Sequence, residues 1–204
     1  MLYELATLTT VVGKILSVVP AVGAWVADGA ARGRLTGAWI SEFGPQNRIL
    51  ALREFDGLED LTAERRRALE SANPFGCGES LAGLSMESYA PFPDRPPVSA
   101  GAFGPVYEFR SYVLKVGGLP ETLAAWSKML PLRTKLSPLV IAMYALDGAP
   151  RFTHIWVYPS WEERMAIRAR ALREHVWPPS SAPHTLTPAM SSEVYLPVGF
   201  SPLQ

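Results

Sequence analysis

The chain repeats itself, and this limits it to folds made of two like units. Residues 2–14, LYELATLTTVVGK, align with 106–118, VYEFRSYVLKVGG, which places Tyr3 on Tyr107, 104 residues later. Residues 51–69 align with 154–172, placing Leu69 on Leu172 at an offset of 103. MESYAPF at 86–92 aligns with SEVYLPV at 192–198, placing Tyr89 on Tyr195 at an offset of 106. One such match could arise by chance, whereas three in nearly constant register indicate a tandem duplication.

Each copy has the same order of elements. YEFRSYVL is a short aromatic and β-branched run stopped by Gly117-Gly118, which predicts a strand. Pro120 suits the first turn of a helix, and Leu119, Leu123, Trp126 and Leu130 recur on one helical face. Pro131 should kink or end that helix. LVIAMYAL at 139–146 and FTHIWVY at 152–158 read as a hairpin about Asp147-Gly148. Trp161, Met165, Ala169, Leu172 and Val176 predict the apolar stripe of a second helix, and a last strand follows near 186–196. The order β-α-β-β-α-β is the ferredoxin-like unit. Such a unit has helices on one sheet face only, so two of them can bury each other's open faces. The expected fold is therefore α+β: two tandem ferredoxin-like repeats, at 1–92 and 106–204, closing one α+β barrel, with a Pro/Gly linker at 93–105.

Composition narrows the class of partner. The 204 residues are 48% apolar, enough for a substantial core, and 19 basic side chains balance 19 acidic ones. That balance provides no electrostatic footprint for nucleic acid or an anionic membrane. The apolar run ILSVVPAVGAWVADGA at 15–30 is too short for a span, carries Pro20 and Asp28, and has a counterpart in the second half. It is expected to be a core helix of a cytoplasmic protein. Cys77 is the sole cysteine and sits in a glycine-flanked loop with no histidine near it in sequence, a poor setting for a nucleophile. No phosphate loop, dinucleotide fingerprint or metal-ligand spacing occurs, so no metal is expected.

The run YEFRSYVLKVG, the turns Glu42-Phe43-Gly44-Pro45 and Asp147-Gly148-Ala149-Pro150, and HIWVYPSWEER before a charged helix resemble the NIPSNAP family over essentially the whole chain. The second half fits better; the first has Ala6, Ala51 and Arg53 where the second has Arg110, His154 and Trp156. The resemblance implies a dimeric α+β-barrel fold. Barrels of the wider superfamily include cofactor-free monooxygenases, isomerases, polyketide cyclases and haem-binding enzymes, while animal members look like mitochondrial adaptor proteins.

Strand alternation sorts the chemistry-bearing residues by face. A face covered by helices should be apolar, so Glu108, Arg110 and Tyr112, with His154 and Trp156, are expected to face the barrel cavity. Glu4, Trp39 and Tyr144 are expected to line it as ligand contacts. The leading expectation is a small-molecule-binding barrel, active without a cofactor in bacterial secondary metabolism or catabolism. His154 would be the general acid or base, Arg110 would hold a carboxylate or enolate, and Tyr112 would donate to a developing oxyanion. The alternatives are a haem enzyme with His154 as axial ligand and a non-enzymatic interaction module. Glu108 and Arg110 could also simply pair. Homodimerisation is expected from strand edges and exposed aromatics.

Overall fold

In a computed structural model, the described residues are 1–93, 95–180 and 183–204. Asp94 of the linker, and Ser181 and Ala182, lie outside them. The first repeat runs β1 (Leu2–Thr10), α1 (Ile15–Val26), β2 (Arg34–Phe43), β3 (Arg48–Phe55), α2 (Leu58–Leu69) and β4 (Leu81–Pro91). The second runs β5 (Val106–Leu114), α3 (Leu119–Arg133), β6 (Leu139–Ala145), β7 (Arg151–Tyr158), α4 (Trp161–Arg173) and β8 (Leu186–Pro197). Both are the β-α-β-β-α-β unit.

The eight strands close into an antiparallel barrel in the order β1-β3-β2-β8-β5-β7-β6-β4. Each repeat supplies four consecutive staves, and two seams join them. Trp39 pairs with Pro197 and Ser41 with Tyr195 across β2 and β8. Tyr89 pairs with Ala145 and Pro91 with Met143 across β4 and β6. The linker then crosses one end of the barrel and pairs with the chain's last residues: Gly101 bridges to Leu203, and Gln204 N–H donates to the Gly101 carbonyl at 2.9 Å.

Three apolar clusters report which face is which. One joins strands of both repeats and includes no helix residue: Tyr3, Leu5, Leu50, Leu52, Tyr107, Phe109, Ile155 and Val157, with Trp39, Tyr89 and Tyr195. This is the barrel interior. The second lies under α3 and α4, with Trp126, Leu130, Phe152 and Trp156; the third lies under α1 and α2, with Val18, Val22, Ala51 and Phe75.

Two helices depart from expectation. α3 continues past Pro131 to Arg133, because a proline in the last turn forfeits only a terminal bond. In α4, Met165 is 67% exposed and Leu172 59%, so the apolar stripe is not the buried face. Ala171 is buried instead, Ile167 packs on the core, and the guanidinium groups of Arg164 and Arg168 reach a buried carboxylate. Apolar periodicity cannot register a helix that turns arginines inward.

Candidate functional site

The residues singled out in β5 and β7 lie together, but on the other face of the sheet from the one expected. Glu108, Arg110, Tyr112, His154 and Trp156 are outside the barrel, beneath α3 and α4; Tyr107, Phe109, Thr153, Ile155 and Val157 point inward. The expectation that helices demand an apolar face fails here because the helices bring their own counter-charges. Glu108, with no exposed side-chain surface, accepts from Arg110 and from Arg164 at 2.6 Å each, from Ser192 at 2.8 Å and from Tyr158 at 3.3 Å. Arg168 lies 3.7 Å away. Burial alone would raise the carboxyl pKa, but the hydrogen bond from Arg164 and the charge of Arg110 outweigh it and hold the group down at about 2. Arg110 Nε also donates to the Tyr112 hydroxyl at 2.6 Å.

His154 sits in an aromatic box. The rings of Trp126, Tyr112 and Phe152 lie 4.6, 5.1 and 5.7 Å from its own, and Trp156 Nε1–H donates to its Nδ1 at 2.7 Å. Its Nε2 has no hydrogen-bond partner among the described residues. Burial and the charge of Arg110 push its pKa well below the usual imidazole value, so it is neutral. A neutral imidazole walled from solvent is an aromatic packing element with one polar handle. Haem does not fit this position, because the cavities flanking Tyr112 and Trp177 are only about 120 and 100 Å3, too small for a porphyrin. No His, Cys, Asp and Glu group suited to a metal ion occurs among the described residues.

The first repeat carries a charge network at the corresponding place. Arg53 bridges Glu4 and Glu64, all three fully or almost fully buried, and Arg65 donates to Glu4 at 3.1 Å. Glu4 thus binds arginines under α2 instead of lining the cavity. On α2, Arg65 and Arg67 both reach buried carboxylates. Tyr144 is likewise on the helix side of β6, packed against the cluster under α3 and α4. Trp39 does face inward, edge-on to Phe109 at 5.0 Å. Cys77 is buried in its loop, and burial pushes its thiol pKa up, away from thiolate chemistry.

Inside the barrel, tyrosine–glutamate pairs recur at both ends. Tyr89 donates to Glu87 at 2.9 Å and Tyr195 to Glu193 at 2.5 Å, with Arg151 and Arg48 paired to those carboxylates at 2.8 and 3.6 Å. Burial and the Glu87 charge push the Tyr89 phenol up to about 12. At the opposite end Tyr3 donates to Glu54 at 2.8 Å, and Arg34 sits 3.0 Å from the same carboxylate. Burial and that hydrogen bond keep the Tyr3 phenol protonated.

A cavity opens at this second end. It has a volume of about 340 Å3, bounded by Tyr3 of β1, Ile141 of β6, Val157 of β7, Val98 and Phe103 of the linker, and Leu203 of the tail. Sequence reasoning missed it because its roof is irregular chain. The signal available was the presence of Val98 and Phe103 in a segment otherwise composed as a solvated linker.

A family model, NIPSNAP, matches residues 3–74 and 107–202, both repeats and most of the chain. This chain belongs to the NIPSNAP family. A NipSnap homologue from Dictyostelium discoideum is 27% identical over 79% of this chain and 74% of its own length. The mouse NipSnap homologue 3B is 31% identical over 46% of this chain, which spans only 38% of that protein. Among solved structures, an anthrone oxidase-like protein superposes with a TM-score of 0.66 over 97% of this chain and 91% of its own, at 12% identity. At that identity the likeness shows a shared fold. Among the described residues of this NIPSNAP chain, no helix is long and apolar enough to cross a membrane.

Proposed function

We propose that this NIPSNAP chain is a small-molecule-binding barrel whose ligand occupies the cavity at the barrel end roofed by the linker. The observation that carries the reading is the cavity itself: about 340 Å3, walled by both repeats, the linker and the tail. A concave, largely apolar space with a few polar groups is the usual form of a ligand site. Its lining is mainly apolar, with the Tyr3 phenol and the Arg95 side chain as polar groups, which favours a mainly apolar guest. Tyr3 presents a phenol held protonated by burial and by Glu54, so it orients a ligand by hydrogen bonding and does not abstract a proton. Arg34 is occupied by Glu54 and by the Val98 carbonyl at 3.4 Å, which ties the roof to the wall.

Cofactor-free acid–base chemistry needs a group that changes protonation near neutrality in contact with the ligand. His154 is held neutral, and it lies beneath α3 and α4, away from this cavity. Both facts favour binding and orientation over proton transfer at the barrel end.

The test is titration with N-phenyl-1-naphthylamine, a neutral probe that fluoresces when it leaves water. The wild-type chain should show saturable one-to-one enhancement. Val140→Trp, which places an indole at the cavity wall, should abolish it while the urea unfolding midpoint stays near that of the wild type. Unchanged probe binding in a folded Val140→Trp variant refutes the proposal.

A further inference from the structure

The network around Glu108 holds more positive charge than one carboxylate can answer. Arg110 and Arg164 bond to it at 2.6 Å each, and Arg168 stands 3.7 Å away without a hydrogen bond to any described residue. Arg133 is 2% exposed and has no carboxylate partner among the described residues. Among the described residues it donates only to the Ser137 hydroxyl at 2.7 Å and the Tyr158 hydroxyl at 3.2 Å, lies over the Trp156 ring at 4.1 Å, and leaves its Nε unpartnered. A guanidinium withdrawn from water without an anion is costly.

The first repeat holds more negative charge at the same place. There two buried carboxylates, Glu4 and Glu64, answer Arg53, Arg65 and Arg67. At the offset of 103 residues, Ile167 stands where Glu64 stands, so the second repeat lacks one negative charge. Its arginines also border open space. Arg110, Arg133 and Arg168 wall a cavity of about 120 Å3 whose other side is Leu172, Trp177 and Pro178. Tyr112 is in the same wall; its oxygen accepts from Arg110 Nε, which leaves its O–H free to donate.

We propose that this cavity binds a small organic monocarboxylate, no larger than benzoate. Its carboxylate meets Arg133, Arg110 and Arg168, and its apolar body lies against Trp177 and Leu172. The ligand supplies from solution the negative charge that Glu64 supplies covalently in the first repeat. Guanidinium forks match a planar carboxylate, and the apolar wall discriminates against inorganic anions, which have nothing to set against it. The site is separate from the barrel-end cavity and does not depend on it.

The test titrates the full chain with benzoate and with inorganic phosphate, read by calorimetry and by tryptophan fluorescence. Wild type should bind benzoate saturably, more tightly than phosphate, with a change in tryptophan emission. Arg168→Gln should weaken benzoate about tenfold or more, as expected for losing a charge-assisted contact. Arg168 is 39% exposed and is not one of the two closest partners of Glu108, so the variant should fold. Leu172→Glu places a carboxylate at the cavity and should abolish binding. Met165→Glu, a change at a somewhat more exposed position on the same helix away from the cavity wall, should bind like wild type. Absence of saturable benzoate binding, equal affinity for phosphate, or wild-type affinity in both Arg168→Gln and Leu172→Glu overturns the proposal. Binding of the neutral probe at the barrel end is measured in parallel, so loss of one site is distinguished from loss of the other.

Discussion

Acid should destabilise this protein well before its carboxylates titrate, and His154 should be the reason. The imidazole is fully buried and its pKa is held well below 6.5, whereas in the unfolded chain it returns to about that value. The folded state therefore declines a proton that the unfolded state accepts, so stability is complete above pH 6.5 and falls as the pH drops below it. Each unit below the unfolded pKa is worth about 1.4 kcal/mol. From pH 7 to pH 5 the single group can remove at most about 2 kcal/mol. Glu108 does not confuse this window. Its folded pKa is depressed to about 2, so its contribution is present above the unfolded value of 4.5 and is lost only below it. Urea unfolding at pH 7, 6 and 5, followed by tryptophan fluorescence, measures the slope. His154→Gln removes the titrating group, and the wild-type loss across those two pH units should shrink to a few tenths of a kcal/mol. Equal slopes for wild type and variant would refute the assignment of a neutral, proton-excluding His154.

The two charge networks should respond unequally to losing an arginine. Arg53→Met takes one shared guanidinium from two buried carboxylates at once, leaving Glu4 with Arg65 and Glu64 with Arg67, and should cost roughly 3 kcal/mol, whereas Arg110→Ala takes one partner from a single carboxylate, leaving Glu108 with Arg164, Ser192 and Tyr158, and should cost no more than about half of that, by the same urea measurement. The expected homodimer remains a proposal. Barrel closure pairs every strand on both sides, so it would form through exposed apolar groups such as Val12 and Leu16. Leu16→Glu should then shift sedimentation to the 22.3 kDa monomer, and a wild type already monomeric at micromolar concentration ends that idea.

The repeat and the order of elements were legible because they depend on local signals: aromatic strands stopped by glycines, Pro120 opening a helix, the turn at Asp147-Gly148. The faces were not, because the partners of Glu108 come from elements far along the chain. Arg164 and Arg168 are on α4, where apolar spacing pointed to Met165 and Leu172 instead, and Ser192 is on β8. Arg110 with Glu108 was legible as a pair two residues apart on one strand. Arg133, at the end of a helix whose apolar face is otherwise clear, had no local mark of its role. Trp39 was placed in the interior on aromatic character alone. The barrel-end cavity was invisible to periodicity, since Val98, Phe103 and Leu203 belong to no periodic element.

The two halves share one backbone plan but sit in one chain, and that removes a constraint. In a barrel assembled from two identical chains, every substitution appears twice, and a surplus of charge on one side is matched by the same surplus on the other. Here Glu64 can persist in one half while Ile167 replaces it in the other. Covalent joining makes the barrel a platform on which one half can keep its buried arginines paired with carboxylates and keep the fold closed. The other can hold an unmet charge and an adjoining void without doubling the energetic burden of either.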